Sequence, residues 1–331
     1  MGGHAFGYET ARLRASDYYE LEARSIATLR EAFPETRVEA IRAYRNKPDF
    51  GDCDILVERG TGYSYEQAAK ALGAIEVVPN GPVCSIGVPV TPQGGKDIFQ
   101  IDLVTADPLS FDFSKGYFGQ GDIGNLVGRL YHAWGLALRH DGLYYYVRDG
   151  DYKFREIALT LNFNFALELM QYDVQTFEDG FDSPEDIFRY VASSPFFNPD
   201  IFLLHNRNAQ SRVRDRKRPM YMAFLKFCEE TSGLPKFQFP ENKSAWLPRL
   251  FEHFAGFKQE YDRALADLSE LRRVKDKFNG TWVSQVTGLQ GKELGEVMQA
   301  FRHSFTTQED LHDYVLTTPL EELERGVKAL I

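Results

Sequence analysis

The chain has 331 residues, 43% of them hydrophobic, with 38 basic against 48 acidic side chains for a net charge of -10. That length suggests about two domains, and so acidic a balance excludes a protein that coats nucleic acid over its whole surface, leaving local basic patches for any such contact. Three scattered cysteines, Cys53, Cys84 and Cys228, exclude a disulfide framework or a zinc cluster; with no leader-like segment and no long apolar run, the expectation is a soluble cytoplasmic protein that does not enter a membrane.

Taken in chain order, residues 16–33 carry apolar positions at helical spacing behind Ser16 and Asp17, which predicts a capped helix. "RVEAIRAY" (37–44) and "CDILVE" (53–58) read as strands joined by a loop that carries Pro48 and Gly51. Residues 64–73 predict a short helix closed by Gly73, and "AIEVVP", "VCSIGVPV" and "DIFQIDLVTAD" follow as strands. A helix is expected over 121–140. "GLYYYV" reads as β-rich, and "EIALTLNFNFALEL" is ambiguous between strand and helix. "DSPEDIFRYVA" (182–192) has the grammar of a helix start, with Ser183 as N-cap, Pro184 in the first turn and Asp186 near the positive end of the dipole. From about 205 the chain reads as almost wholly helical, punctuated at Gly233-Leu234-Pro235, Pro240, Asn279-Gly280 and Pro319. The expected fold class is α+β, with a sheet-bearing part over residues 1–200 and an all-helical part over 201–331.

Within the strand pattern, "YRNKPDFGDCDILVE" places Asp52 and Asp54 one residue apart at the start of an apolar strand. Residues i and i+2 of a strand point to the same face, so the two carboxylates converge. Two such groups do not both stay ionised without a cation between them. Either the pair ends a strand in water, or it holds a divalent metal such as magnesium, which takes one or two carboxylates and completes its shell with water and phosphate. "FQIDLVTAD" adds a third acid embedded in a strand, Asp102, which would allow a second metal and the two-metal chemistry of phosphoryl transfer. Farther on, Asp122, Asn125 and Arg129 stand at spacings of three and four and share one face of the expected helix. That face is either a cap followed by a solvated polar stripe or part of a binding site.

"YRNKPDFGDCDILV", "IDLV", "YFGQGDIGNLVGR" and "SPEDIFRYV", in that order, resemble the catalytic part of the polymerase X (DNA polymerase beta-like) branch of the nucleotidyltransferase superfamily, discontinuously over about residues 37–192. The resemblance implies a nucleotidyltransferase-type mixed-sheet palm, to about residue 116, in which Asp52, Asp54 and Asp102 hold two Mg2+ ions, for which Mn2+ can substitute. It implies that Arg42 to Gly51 wraps the triphosphate of an NTP or dNTP, with Arg42 and Arg45 as its cations. The family's Gly-Ser at the start of this loop is replaced here by Ile41-Arg42. It further implies a nucleotide-contacting subdomain over 117–200, with Tyr117 and Phe118 at the sugar, Asp122 and Asn125 facing the base, and Arg129 one helical turn on. Only 51 residues precede Asp52, too few for the lyase and fingers domains that repair polymerases of this family carry there. The expected reaction is therefore template-independent addition, or addition to a structured acceptor.

The helical part opens with "HNRNAQSRVRDRKRP", in which Arg207, Arg212, Arg214, Arg216, Lys217 and Arg218 stand against one acid, Asp215. Arginines suit bidentate phosphate contact, and backbone neutralisation dominates nucleic-acid affinity. The stretch reads either as an acceptor-binding stripe or as a solvated or salt-bridged helix face. "VTGLQGKELGEVMQAF" (286–301) resembles a segment in the helical tail of CCA-adding tRNA nucleotidyltransferases, which implies an RNA acceptor such as a tRNA 3′ end; read by itself it is a glycine-capped helix junction. The leading expectation is a metal-dependent nucleotidyltransferase that moves a nucleoside monophosphate to a nucleic-acid 3′-hydroxyl and releases pyrophosphate. Two readings share its residues: transfer to a protein or small-molecule hydroxyl, and an inactive RNA- or protein-binding module. Asp102 pointing away from Asp52 and Asp54 would favour the last.

Overall fold

A computed structural model describes residues 5–60, 62–91 and 97–331. The chain divides into two compact units, one running through Tyr145 and resuming over Ala158–Phe254, the other formed by Tyr146–Ile157 with Ala255–Ile331. The boundary thus falls well after residue 200, and the reason is aromatic packing. Phe188 and Phe202 lie 5.4 and 4.8 Å from Phe224, centroid to centroid, and the Tyr221 hydroxyl donates to the Phe202 carbonyl at 2.6 Å. Residues 205–253 therefore complete the core of the first unit.

In that unit β1 (Leu13–Arg14) leads into α1 (Ala15–Ala32), followed by β2 (Val38–Ala40), β3 (Asp49–Phe50), β4 (Asp52–Glu58), α2 (Tyr65–Ala71), β5 (Glu76–Asn80), β6 (Val83–Pro89) and β7 (Ile98–Ala106). Five of these strands form a mixed sheet in the order β2-β4-β7-β6-β5, with β4 and β7 parallel and the other pairs antiparallel. β1 pairs with β3 in a separate two-stranded ribbon. Alternation along β4 sends Cys53, Ile55 and Val57 into a core shared with Leu21 and Leu29 of α1, while Leu56 joins Val104 and Phe111 on the opposite face. Burial on both faces explains the continuous apolar run Ile55-Leu56-Val57.

The expected strand over 37–44 ends at Ala40. Beyond Ile41, whose N–H still reaches the Asp54 carbonyl at 3.0 Å, the backbone turns to another partner: Arg45 and Asn46 donate to the carbonyls of Phe181 and Asp182. The first helix starts after Arg14, which is paired in β1, so Ser16 and Asp17 lie in its first turn rather than capping it.

α3 (Phe111–Phe118) and α4 (Ile123–Ala133) follow the sheet. The expected helix over 121–140 stops short because Gly135 takes a left-handed φ of 83°, after which β8 (Leu136–Arg139) pairs with β9 (Gly142–Asp149). β9 in turn neighbours β10 (Tyr152–Thr160). The ambiguous stretch resolves as the end of β10 followed by α5 (Phe163–Leu169), capped by Asn162. α6 (Val174–Asp179) and α7 (Pro184–Ala192) come next, and α7 opens on a capping box in which Ser183 and Asp186 satisfy each other's backbone N–H. α8 (Ala209–Arg216), α9 (Pro219–Glu230) and α10 (Leu247–His253) complete the unit.

The second unit is a helical assembly of α11 (Phe257–Lys277), α12 (Gly280–Thr287), α13 (Gly291–His303), α14 (Gln308–Thr317) and α15 (Leu320–Lys328) around Phe278, Val283, Phe301, Val315 and Val327. The outer part of the β9–β10 pair joins it through Arg155 to Asp267 and Arg272 to Asp149, both 2.6 Å. The segment likened to a tRNA-enzyme tail is here the α12–α13 junction, with Gly288 in the left-handed region as the C-cap of α12. No helix among the described residues is long and apolar enough to cross a membrane.

The entry to α4 depends on the absence of a side chain. A Cβ on Gly124 would lie 2.3 Å from the Tyr117 carbonyl oxygen, whereas one on Gly128 of the same helix would meet Leu138 at 3.9 Å, an ordinary contact. Gly124→Ala is expected to destabilise the protein by about 1–3 kcal/mol through overpacking. Gly128→Ala should leave it unchanged or raise stability by up to about 1 kcal/mol. Thermal unfolding of the two variants followed by circular dichroism checks this; equal melting temperatures would contradict the close approach.

Candidate metal centre and its cleft

Parallel pairing of β4 with β7 sets Asp54 directly beside Asp102 and Asp52 beside Gln100. All four alternate to the face opposite the α1 core, where one carboxylate oxygen from each of Asp52, Asp54 and Asp102 lies within 4.8 Å of the others. Asp102 therefore points toward the pair. Gln100 orients it, its amide nitrogen donating to both carboxylate oxygens at 2.9 and 3.1 Å, and the Ser85 hydroxyl adds a further hydrogen bond. Gln100 is itself held by the Ala5 N–H at 3.0 Å.

Burial, and after it the charges of Asp52 and Asp102, push the Asp54 carboxyl up to about 7 from its usual 3.8, against the pull of Lys47. Asp102 is also raised, mainly by burial, while Ser85 and Gln100 hold it down. None of the three is ion-paired among the described residues. Three converging, hard, anionic oxygen donors that repel one another are the donor set that suits a divalent cation of the magnesium type.

The carboxylates Asp52 and Asp54 open onto a cleft of about 530 Å³. Its floor is aromatic, with Tyr18 and Phe50 stacked at 3.6 Å between centroids. Four cations line it: Arg42 and Lys47 from the loop between β2 and β3, and Lys217 and Arg218 from the junction of α8 and α9. Arg42 makes no ion pair among the described residues, and the Lys47 ammonium lies 4.4 Å from the centre of the Phe50 ring.

The other residues singled out in the sequence are placed differently. Arg45 is not in this cleft: its guanidinium pairs with Asp182 and donates to the Asp179 carbonyl at 2.6 Å, and it borders a neighbouring cavity. Gly51 is buried at the break between β3 and β4. Phe118 lines the cleft and stacks on His140 at 5.7 Å; Tyr117 meets Phe118 edge-on at 5.3 Å but does not line the cleft. Asp122 lines it too, bound to Arg218 at 2.7 Å rather than capping α4. Asn125 and Arg129 share its helix face, as the spacing requires, yet do not line the cleft. Arg129 donates to the Ile201 carbonyl at 3.3 Å, and Asn125 Nδ2 is enclosed without a hydrogen-bond partner among the described residues.

The basic stretch is largely committed to internal contacts. Arg207, 7% exposed, is paired at 2.8 Å with the fully buried Asp215, which also holds Arg214 at 3.2 Å. Arg212 donates to the Arg207 carbonyl at 3.1 Å. Arg207 is therefore a core cation, out of reach of a nucleic acid, while Arg216 and Lys217 are exposed and without an ion pair among the described residues. Sequence reasoning passed over Lys47, Gln100 and Ser85. Lys47 lies inside the Arg42–Gly51 loop, and Gln100 stands two residues before Asp102, so strand alternation would have placed it on the same face. Ser85 on β6 carries no such signal. No family model matches the chain, and no curated protein matches it.

Two outcomes are expected. Because Asp54 takes up its proton near pH 7 when folded and near pH 3.8 when unfolded, the folded state binds the extra proton between those values and stability falls as pH rises through them. In chelator at pH 8, Asp54→Asn should therefore melt higher than the parent, and magnesium should raise the parent's melting temperature more than the variant's; a cation-insensitive parent would count against the metal centre. Asp215→Ala, which strands the buried Arg207, should cost about 3–5 kcal/mol in denaturant unfolding, against little change for Arg216→Ala.

Proposed function

We propose that the chain is a metal-dependent nucleotidyltransferase that transfers a nucleoside monophosphate from an NTP or dNTP to a nucleic-acid 3′-hydroxyl, with release of pyrophosphate. The observation that carries this reading is the in-register convergence of Asp52, Asp54 and Asp102 on one sheet face, beside a cleft whose loop supplies Arg42 and Lys47. Asp52, Asp54 and Asp102 would hold divalent cations, which when bound supply charge neutralisation at the reacting phosphate and acidify a nearby hydroxyl.

The residues of the chain have separate tasks. Arg42 and Lys47 face the phosphates, Arg42 as a planar fork suited to bidentate contact and Lys47 as a compact point charge. Phe118 and Tyr44 present apolar surface to the sugar and base within the same cleft. Asp102, kept in one orientation by Gln100 and Ser85, accepts the proton of the acceptor hydroxyl. A bond then forms from the acceptor oxygen to the α-phosphorus, the bond from that phosphorus to its bridging oxygen breaks, and pyrophosphate leaves with the electron pair. The exposed Arg216, one residue from the cleft-lining Lys217, continues positive charge out of the cleft for an acceptor backbone.

A second reading, transfer to a hydroxyl of a small molecule or protein, draws support from the internal pairing of Arg207, Arg214 and Arg218, which leaves fewer charges for a nucleic-acid backbone. Incubation of each labelled NTP and dNTP with magnesium and single-stranded DNA, primer–template duplex, or tRNA lacking its 3′ end distinguishes the two. Label should enter one nucleic acid, and Asp102→Asn should reduce transfer by at least a hundredfold while nucleotide binding is largely kept. Pyrophosphate release without nucleic-acid labelling would favour the second reading, and unimpaired transfer by Asp102→Asn would refute the assignment of the centre.

A further inference from the structure

Deepening the nucleotidyltransferase reading, on which it rests, we propose that the Lys217–Arg218 dipeptide forms the second wall of the polyphosphate site, with Lys217 contacting the phosphates directly and Arg218 acting as a positioning residue. The cleft carries charges of both signs. Carboxylates stand on the sheet side, and Arg42, Lys47, Lys217 and Arg218 stand around them. Arg42, Lys47 and Lys217 form no ion pair among the described residues, so the cations do not neutralise the aspartates. A ligand that carries divalent cations on one side and spare negative charge on the other satisfies both walls at once, and a metal-bound polyphosphate has that character. Arg45, the loop arginine that the sequence offered for this role, is tied to Asp182 and the Asp179 carbonyl.

The dipeptide is also held firmly where it stands. The Lys217 and Arg218 N–H groups donate to the carbonyls of Arg214 and Asp215, both at 3.1 Å, closing α8. The same Asp215 carries the buried pair with Arg207 beneath. Arg218 is fixed by Asp122 at the start of α4, and the chain enters α9 at Pro219. No side chain among the described residues caps α9, and its first two residues, Pro219 and Met220, line the cleft, so the positive end of this twelve-residue helix adds to the field there. Arg218 is neutralised by Asp122, which leaves Lys217 as the free charge of this wall. These bonds fix the Lys217 backbone beside the cleft, and its exposed side chain, without an ion pair among the described residues, is the part that orders when an anion arrives.

The test is binding of inorganic tripolyphosphate and of ATP, each with magnesium, measured by titration calorimetry on the full chain. Lys217→Ala should weaken both by about tenfold or more, Lys217→Arg should recover most of the loss, and Mn2+ binding without phosphate should be unchanged, since the aspartates are intact. Arg45→Ala, whose side chain is tied to Asp182 outside this cleft, should bind within twofold of the parent. Lys217→Ala binding tripolyphosphate as the parent does, in a parent that transfers nucleotide, would overturn the assignment of the wall and leave the enzymatic reading standing. Loss on Arg45→Ala in place of Lys217→Ala would return the role to the loop. A parent that binds neither ATP nor tripolyphosphate would overturn both the wall and the reading beneath it.

Discussion

Asp52, Asp54 and Asp102 are held with carboxylate oxygens within 4.8 Å of one another, and like charges at that range repel by an amount that rises steeply as water is excluded. The fold keeps them there because their backbones have nowhere else to go. β4 and β7 are central strands of the five-stranded sheet, paired in parallel over seven residues and covered on the α1 side by a continuous apolar core. A slip of one residue would turn Cys53, Ile55 and Val57 out of that core, so the register that buries them also fixes the acids on the other face. The strain surfaces as proton affinity, with Asp54 raised to about 7 and Asp102 raised as well.

Around this centre the cleft is assembled from stretches far apart in sequence. The β2–β3 loop is shaped from outside, by hydrogen bonds of Arg45 and Asn46 to the segment between α6 and α7. Gln120 braces it as well, donating its N–H to the Arg42 carbonyl at 2.6 Å from a left-handed backbone at φ 57°. A non-glycine residue in that region carries backbone strain, which such surroundings must hold in place. Arg42 is thereby presented to the cleft while Arg45, three residues on, is drawn away from it.

The basic stretch shows how far charge counting can mislead. Six cations in twelve residues suggest a surface for polyanions, yet one buried carboxylate reorganises them. Asp215 is fully enclosed, and an enclosed carboxylate requires cationic partners. Arg207 and Arg214 meet that requirement, and Arg218 meets the parallel one of Asp122. What remains exposed is shifted toward the end of α8, beside the cleft.

The sequence by itself determined the features whose cause is local. Strand alternation marked Asp52, Asp54 and Asp102, and would have marked Gln100, because a side chain's face follows from its position alone. The Ser183 cap was legible for the same reason, since an N-cap bonds a backbone N–H two or three residues away; the structure adds the reciprocal Asp186 bond and the Ser64 and Asn279 caps. The tertiary structure decided where β2 ends, that α4 gives way to β8, and that the first compact unit runs on to Phe254. It also decided which cations are free. Arg45 pairs with Asp182 across 137 residues and Arg218 with Asp122 across 96, whereas Arg207 and Arg216 look alike in the sequence and part company only when Asp215 is buried. Burial and long-range pairing are properties of the packed chain, and no period of two or of 3.6 residues records them.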